Sequence, residues 1–183
     1  MGGQVIRLIL LDRDGVINYD SSRYIRRADE WRPIPGALEA IAQLRAAGYM
    51  LGLCSNQAGI ARGKFTSADL SAIEAKMLAM LRERGADFDF IAYCQHHPDD
   101  NCSCRKPKPG MLRQALSQLA VHPSETYFVG DSLTDVKAAL AANITPALVR
   151  TGNGSGDEAA ARALVPLAVY DDLARFAEDL LRS

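Results

Sequence analysis

The chain has 183 residues, 48% of them apolar and 23% charged, with 21 basic and 22 acidic side chains giving a formal net charge of −1. That length holds one domain of ordinary size, and the composition excludes collagen-like and disordered classes. The charge balance excludes the polybasic footprint of a nucleic-acid-binding protein, while a few focused cations still suffice for a small anionic ligand.

Short apolar runs alternate with amphipathic stretches. Val5–Leu11 (VIRLILL) reads as a buried strand, and Pro35–Ala47 as a helix with Leu38, Ile41, Ala42 and Leu44 on one face and Gly48 beyond its end. Met50–Ser55 is the next strand. A helix is predicted from Ser67, as N-cap, to about Arg84, with Leu70, Ile73, Met77, Leu78 and Leu81 as its stripe. Phe90–Cys94 is a third strand, Gly110 to about Ala120 a helix, Thr126–Gly130 a fourth strand and Ser132–Ala142 a helix. Ala147–Arg150 and Leu167–Tyr170 read as late strands, and Asp171–Leu181 as a closing helix. Thr151–Asp157 (TGNGSGD) is expected to be a plain solvated loop. The alternation predicts an α/β fold in one domain spanning 1–183, a parallel sheet with helices on both faces. Ligands of such sheets sit beyond the carboxyl ends of the strands.

The chemically informative residues fall at those ends. Asp12-Arg13-Asp14-Gly15 follows the first strand. The first carboxylate can attack phosphorus, and the second can protonate a leaving oxygen and later deprotonate water. A hard cation such as Mg²⁺, held by oxygens, would fix a phosphate between them. The second strand ends at Ser55-Asn56, a hydroxyl and an amide able to cradle a phosphoryl oxygen. The fourth ends at Asp131, with Asp135 four residues on, and an acid directly after a buried strand suits a metal ligand. Arg105-Lys106-Pro107-Lys108-Pro109 supplies cations to offset phosphoryl charge.

In its order this set resembles the haloacid dehalogenase-type (HAD) phosphatases, whose four motifs Asp12/Asp14, Ser55, Lys106 and Asp131/Asp135 match across nearly the whole chain. The resemblance implies a three-layer Rossmann-like fold, with Asp12 as nucleophile and Asp14 as general acid/base. It implies Mg²⁺ held by Asp12, the main-chain carbonyl of Asp14 and Asp131, phosphoryl contacts from Ser55 and Lys106, and Asp135 orienting this shell. Forty residues separate Asp14 from Ser55, and the elements expected there leave no room for a cap domain, so selectivity must come from loops.

The chain has four cysteines. No secretory signal is expected ahead of them, because Arg7 breaks the first apolar run, and no stretch approaches the roughly 20 apolar residues of a membrane span. A cytoplasmic setting is therefore expected, where metal binding is favoured over disulfides. Cys94, His96, Cys102 and Cys104, with His97 as the alternative imidazole, suit a closed tetrahedral structural Zn²⁺ site in the 94–104 loop. Cys54, inside a strand, reads as a small buried hydrophobe.

The strings SNQAGIARGKFT (55–66), CQHHP (94–98) and CRKPKPGM (104–111) resemble the heptose-1,7-bisphosphate 7-phosphatase branch of the family, which serves nucleotide-activated heptose synthesis for lipopolysaccharide or surface glycans. That likeness implies a sugar-bisphosphate substrate and Arg105 as a contact to it. It implies a substrate loop of Asp20, Ser21, Ser22, Arg23 and Tyr24, while Arg62 and Lys64 either hold the distal phosphate or are solvated loop cations. Ser55 stands where close relatives often have Thr, and Ser132 where many have Lys. The five residues between His96 and Cys102 resemble the shorter zinc loop of the histidinol-phosphate phosphatase domain, which is the alternative reading. A non-catalytic zinc-stabilised module would predict a broken motif set, and a nucleic-acid end-processing phosphatase a basic groove. A monomer is expected, with neither nucleic acid nor membrane as partner.

Overall fold

The computed structural model describes residues 6–182. Six strands form one parallel sheet: β1 (Leu8–Leu11), β2 (Met50–Asn56), β3 (Phe90–Cys94), β4 (Thr126–Gly130), β5 (Thr145–Val149) and β6 (Ala168–Tyr170), in the order β3-β2-β1-β4-β5-β6. All four β1 side chains are buried, because helices cover both faces of the sheet. Ile9 and Leu11 face one core, built with α1 (Ala37–Ala46), α2 (Ser67–Arg82) and α6 (Leu173–Arg182). Leu8 and Leu10 face the other, built with α3 (Gly110–Leu119) and α4 (Leu133–Ala141). Val136, Leu148 and Ala161 join α4 and β5 to α5 (Gly154–Leu164). Cys54 is wholly buried in the second core, as a hydrophobe would be, and burial pushes its thiol up to about 12.

The chain runs outward in one direction from β1 to β2 and β3, then returns to β4 on β1's other side. That reversal opens a crevice beyond the carboxyl ends of β1 and β4. Asp12 and Asp131 are the residues that follow those two strands. Among the described residues, no segment between elements builds a separate cap domain. The 12–36 stretch carries one 3₁₀ turn, Ala28–Glu30. Lys76 pins it, donating to the carbonyls of Ala28 and Trp31 at 2.8 Å each.

Several expectations need correction. The 151–157 run is not a plain loop, because α5 starts within it at Gly154. The Ala-rich stretch that follows propagates helix well, and the glycines at 152, 154 and 156 hid that signal. The cap of α2 is Thr66, whose hydroxyl accepts from the Asp69 N–H while the Asp69 carboxylate accepts from the Thr66 N–H, a reciprocal box. β5 begins at Thr145, two residues early, with Pro146 masking its start. β1 begins at Leu8, and Val5 of the predicted strand lies outside the described residues. Among the described residues no helix is long and apolar enough to cross a membrane.

Candidate active site

β1 and β4 deliver Asp12 and Asp131 to one cavity of about 370 Å³, lined also by Asp14, Asp20, Ser22, Tyr24, Ser55, Asn56, Arg105, Lys106 and Asp135. Strand pairing fixes the floor, since the Asp12 N–H donates to the Val129 carbonyl at 3.0 Å. Lys106 reaches this floor from the far side. Its ammonium is buried and lies 2.9 Å from Asp12 Oδ2 and 2.7 Å from Asp135 Oδ1. Burial works against that charge, but the two carboxylates outweigh it and hold the lysine's pKa above its ordinary range.

Ligand oxygens of Asp12, Asp131 and Asp135 all lie within 4.8 Å of one another. Like charges at that spacing resist ionising together. Burial, with Asp135 and Asp14 adding to it and Lys106 opposing, raises Asp12 to about 6. Burial, then Asp12 and Asp135, raises Asp131 to about 8. An all-oxygen set this crowded with negative charge fits a hard divalent cation.

Asp131 is oriented by a segment the sequence reading treats as solvated. Asn153 donates to Asp131 Oδ2 from its backbone N–H at 2.9 Å and from Nδ2 at 3.2 Å. Gly15 and Gly152 press against the same oxygen. Both have positive φ, and a Cβ would sit 2.2 Å and 2.1 Å from it respectively, so only glycine lets the two turns close on the carboxylate. Thr151 Oγ1 ties them together, donating to the Gly15 carbonyl at 2.6 Å. Asp135 sits behind: its Oδ2 accepts from the Asp131 N–H at 3.2 Å, the Ser132 N–H at 3.1 Å and the Ser132 hydroxyl at 2.7 Å.

Asp14 has a different setting. Oδ1 accepts from Arg13 Nε at 3.0 Å and Asn18 Nδ2 at 2.8 Å, and Oδ2 from Arg13 Nη2 at 3.0 Å and Gln57 Nε2 at 2.9 Å. Arg13 is wholly buried. Gln57 also donates to Ser55 Oγ at 3.1 Å, linking the two strand ends. Arg13, Asn18, Gln57 and Asn153 escape the sequence reading because an amide or guanidinium beside a motif carries no spacing signal of its own.

Other expected contacts sit differently from their sequence assignment. The Asn56 side chain is engaged at both ends by the Lys106 backbone: Nδ2 donates to its carbonyl and Oδ1 accepts from its N–H, each at 3.1 Å. It thus positions Lys106. Arg23 lines an adjoining groove with Tyr19 and Arg32. Lys64 lines another with Arg26, Arg27 and Asp69. Arg62 does not line the catalytic cavity; it donates to the Tyr24 hydroxyl at 2.9 Å.

The 94–104 loop gathers its four donors. Sulfur–sulfur distances among Cys94, Cys102 and Cys104 are 3.3, 3.5 and 3.6 Å, and His96 Nδ1 lies 3.6 Å from Cys94 Sγ and 3.2 Å from Cys104 Sγ. Zn–S bonds of about 2.3 Å in a tetrahedron need edges of roughly 3.8 Å, so the donors fit that ion after a few tenths of an ångström of expansion. His97 stands apart, its Nδ1 accepting from the Asp99 N–H at 3.3 Å.

A HAD-hydrolase-like family model matches residues 103–176. The D-glycero-beta-D-manno-heptose-1,7-bisphosphate 7-phosphatase of Pseudomonas putida is 47% identical over 178 residues, covering 96% of this chain and 100% of the relative. The enzyme of the same name from Escherichia coli is 43% identical over 159 residues, covering 82% and 83%. The crystal structure of D,D-heptose 1,7-bisphosphate phosphatase from B. bronchiseptica, complexed with magnesium and phosphate, superposes with a TM-score of 0.92 at 45% identity, covering 97% of this chain and 99% of that one. Similarity of this depth along nearly the whole length means that the chain belongs to the D-glycero-β-D-manno-heptose-1,7-bisphosphate 7-phosphatase family of HAD-like hydrolases.

Proposed function

We propose that this protein is a Mg²⁺-dependent phosphatase that removes the 7-phosphate of D-glycero-β-D-manno-heptose 1,7-bisphosphate. The observation that carries the reading is the Asp12–Lys106–Asp131–Asp135 cluster, placed at the reversal of strand order in a chain 47% identical to a relative of that name. Asp12, Asp131 and the main-chain carbonyl of Asp14 would hold Mg²⁺, which supplies positive charge against the phosphoryl oxygens.

In the first step a carboxylate oxygen of Asp12 forms a bond to phosphorus while the bond from phosphorus to the sugar oxygen breaks. Asp14, in its acid form, gives that leaving oxygen a proton. In the second step Asp14 takes a proton from water as the water oxygen attacks phosphorus, the bond to Asp12 breaks, and inorganic phosphate leaves. Lys106 and Ser55 bear on the transferring group: the ammonium offsets its charge and the hydroxyl donates to it. Arg105 lines the same cavity beside Lys106 and is positioned to meet a second anionic group of the substrate. The Cys94–His96–Cys102–Cys104 cluster would hold a structural Zn²⁺ that stiffens the loop leading into Arg105 and Lys106.

The test is phosphate release from both anomers of the heptose bisphosphate and from histidinol phosphate, side by side with Mg²⁺. The β anomer is expected to turn over fastest, and Asp12→Asn to abolish turnover while preserving the folded state. Preference for histidinol phosphate, or residual activity in Asp12→Asn, would overturn the substrate or the nucleophile respectively.

A further inference from the structure

The loop that follows the catalytic aspartates turns at a residue type that disfavours the turn. Tyr24 has φ = 66°, in the left-handed region, where a bulky residue is an outlier. Such a conformation persists where neighbours over-determine it, and it clusters at ligand clamps and switch regions. The backbone N–H of Tyr24 donates to the Ser21 carbonyl at 3.0 Å, and its side chain meets one segment, 57–66, which follows β2. Arg62 donates to the Tyr24 hydroxyl at 2.9 Å. Phe65, only 7% exposed, meets the Tyr24 ring with centroids 6.4 Å apart at 53°. Gly59 runs beneath both rings: a Cβ there would fall 3.0 Å from Tyr24 Cδ1 and 2.3 Å from Phe65 Cε1. No other residue fits beneath them without displacing one.

The loop held this way forms one wall of the catalytic cavity. Asp20, Ser21, Ser22 and Tyr24 all line it. A carboxylate accepts from the hydroxyl groups of a polyol and repels a phosphoryl group, and the hydroxyls beside it can both donate to and accept from a polyol. The same 57–66 segment begins at Gln57, which donates to Asp14.

We propose that Arg62, Phe65 and Gly59 form a clasp that fixes Tyr24, and through it the 20–25 loop, as the wall that reads the sugar. Arg62 is then a positioning residue that acts through Tyr24 and does not itself bind phosphate. The sugar substrate rests on the function proposed above; the clasp does not.

Arg62→Ala, Tyr24→Phe and the double variant test it in the full-length protein with zinc retained. The readouts are kcat and KM on the heptose bisphosphate and on p-nitrophenyl phosphate, and hydrogen exchange of the backbone across residues 20–25. Each single variant is expected to lower the bisphosphate-to-aryl-phosphate ratio of kcat/KM about fivefold, chiefly through KM, as loss of one modest hydrogen bond would. The double variant is expected to be no worse than either single, because both delete the same contact. Exchange across 20–25 should rise equally in all three. A loss in Arg62→Ala with Tyr24→Phe unaffected would make Arg62 a direct substrate contact and overturn the clasp. Additive losses, or unchanged exchange, would overturn it too. If the wild-type protein fails to cleave the sugar bisphosphate, the substrate assignment falls, and exchange alone decides the clasp.

Discussion

Lys106→Met is the substitution whose consequence follows most directly from the geometry. It keeps the length of the buried stem and deletes the ammonium that stands 2.9 Å from Asp12 and 2.7 Å from Asp135. Two buried carboxylates then face each other with no cation between them. Removing one partner of a buried pair costs about 3–5 kcal/mol. At about 2–4 °C per kcal/mol for a domain of this size, Tm should fall by roughly 6–20 °C. The pH dependence fixes the sign. Burial already holds Asp12 at about 6 while Lys106 pulls it down, so its proton affinity rises further without the lysine. A carboxyl with a raised folded-state pKa favours folding below its unfolded value, near 4, and that advantage is lost as pH climbs through the folded value. The deficit of Lys106→Met should therefore be small near pH 4 and largest at pH 8. Urea denaturation of both proteins, without Mg²⁺ and with zinc retained, measures it. A difference below about 1 kcal/mol at pH 8, or one that does not change with pH, would refute the argument.

The metal sites give three more expectations. Cys102→Ser should lower zinc content by elemental analysis and lower Tm, since three ligands remain of four; unchanged zinc would remove Cys102 from the set. Asn153→Ala removes the 3.2 Å side-chain hydrogen bond to Asp131 Oδ2 and leaves the backbone one in place. It should raise the Mg²⁺ concentration giving half-maximal thermal stabilisation by about tenfold, and an unmoved midpoint would contradict that role. In Mg²⁺-free protein, Asp12 and Asp131 stand at about 6 and about 8, so stability should decline as pH rises from about 4 to about 8. Added Mg²⁺ should then raise Tm more at pH 8 than at pH 6, and an equal rise at both would count against a shared cation site.

The sheet was legible because β1, β2 and β4 are apolar runs largely buried on both faces and β3 is an apolar run at the edge, a pattern that does not arise by accident four times with helical stripes between. Asp12 and Asp131 were legible because each follows such a run directly. Boundaries failed where a local residue contradicted its tertiary setting. Pro146 stands second in β5 and Gly154 opens α5, and both residues ordinarily signal an interruption. Side-chain engagement was invisible for a different reason. Asn56 reads as an amide able to cradle a phosphoryl oxygen, and the Lys106 backbone that engages it lies fifty residues away. Arg62 reads equally as a distal-phosphate contact or a solvated loop cation, and its hydrogen bond to Tyr24 appears only in the fold. Charge type survives in sequence; the partner that consumes it does not.

Two carboxylates separated by one residue must do opposite work in the proposed reaction, and the structure supplies the asymmetry that this requires. Asp12 leaves the end of β1 into the crowded floor, against Lys106 and within reach of Asp131 and Asp135. Its oxygens face the place where a cation and a phosphoryl group would meet, which suits attack on phosphorus. Asp14 comes after the chain has begun to turn, with a side chain 21% exposed. Its oxygens accept from the side chains of Arg13, Asn18 and Gln57, and none of those side chains bonds Asp12, Asp131 or Asp135 in the contacts described above. It can therefore exchange a proton with a leaving oxygen or a water without the cation competing for the same lone pairs. The residue between them makes this division possible: the Arg13 N–H donates to Asp12 Oδ1 at 2.7 Å while its guanidinium grips Asp14. One side chain and its own backbone thus set the orientation of both acids, and replacing Arg13 would disturb the pair together.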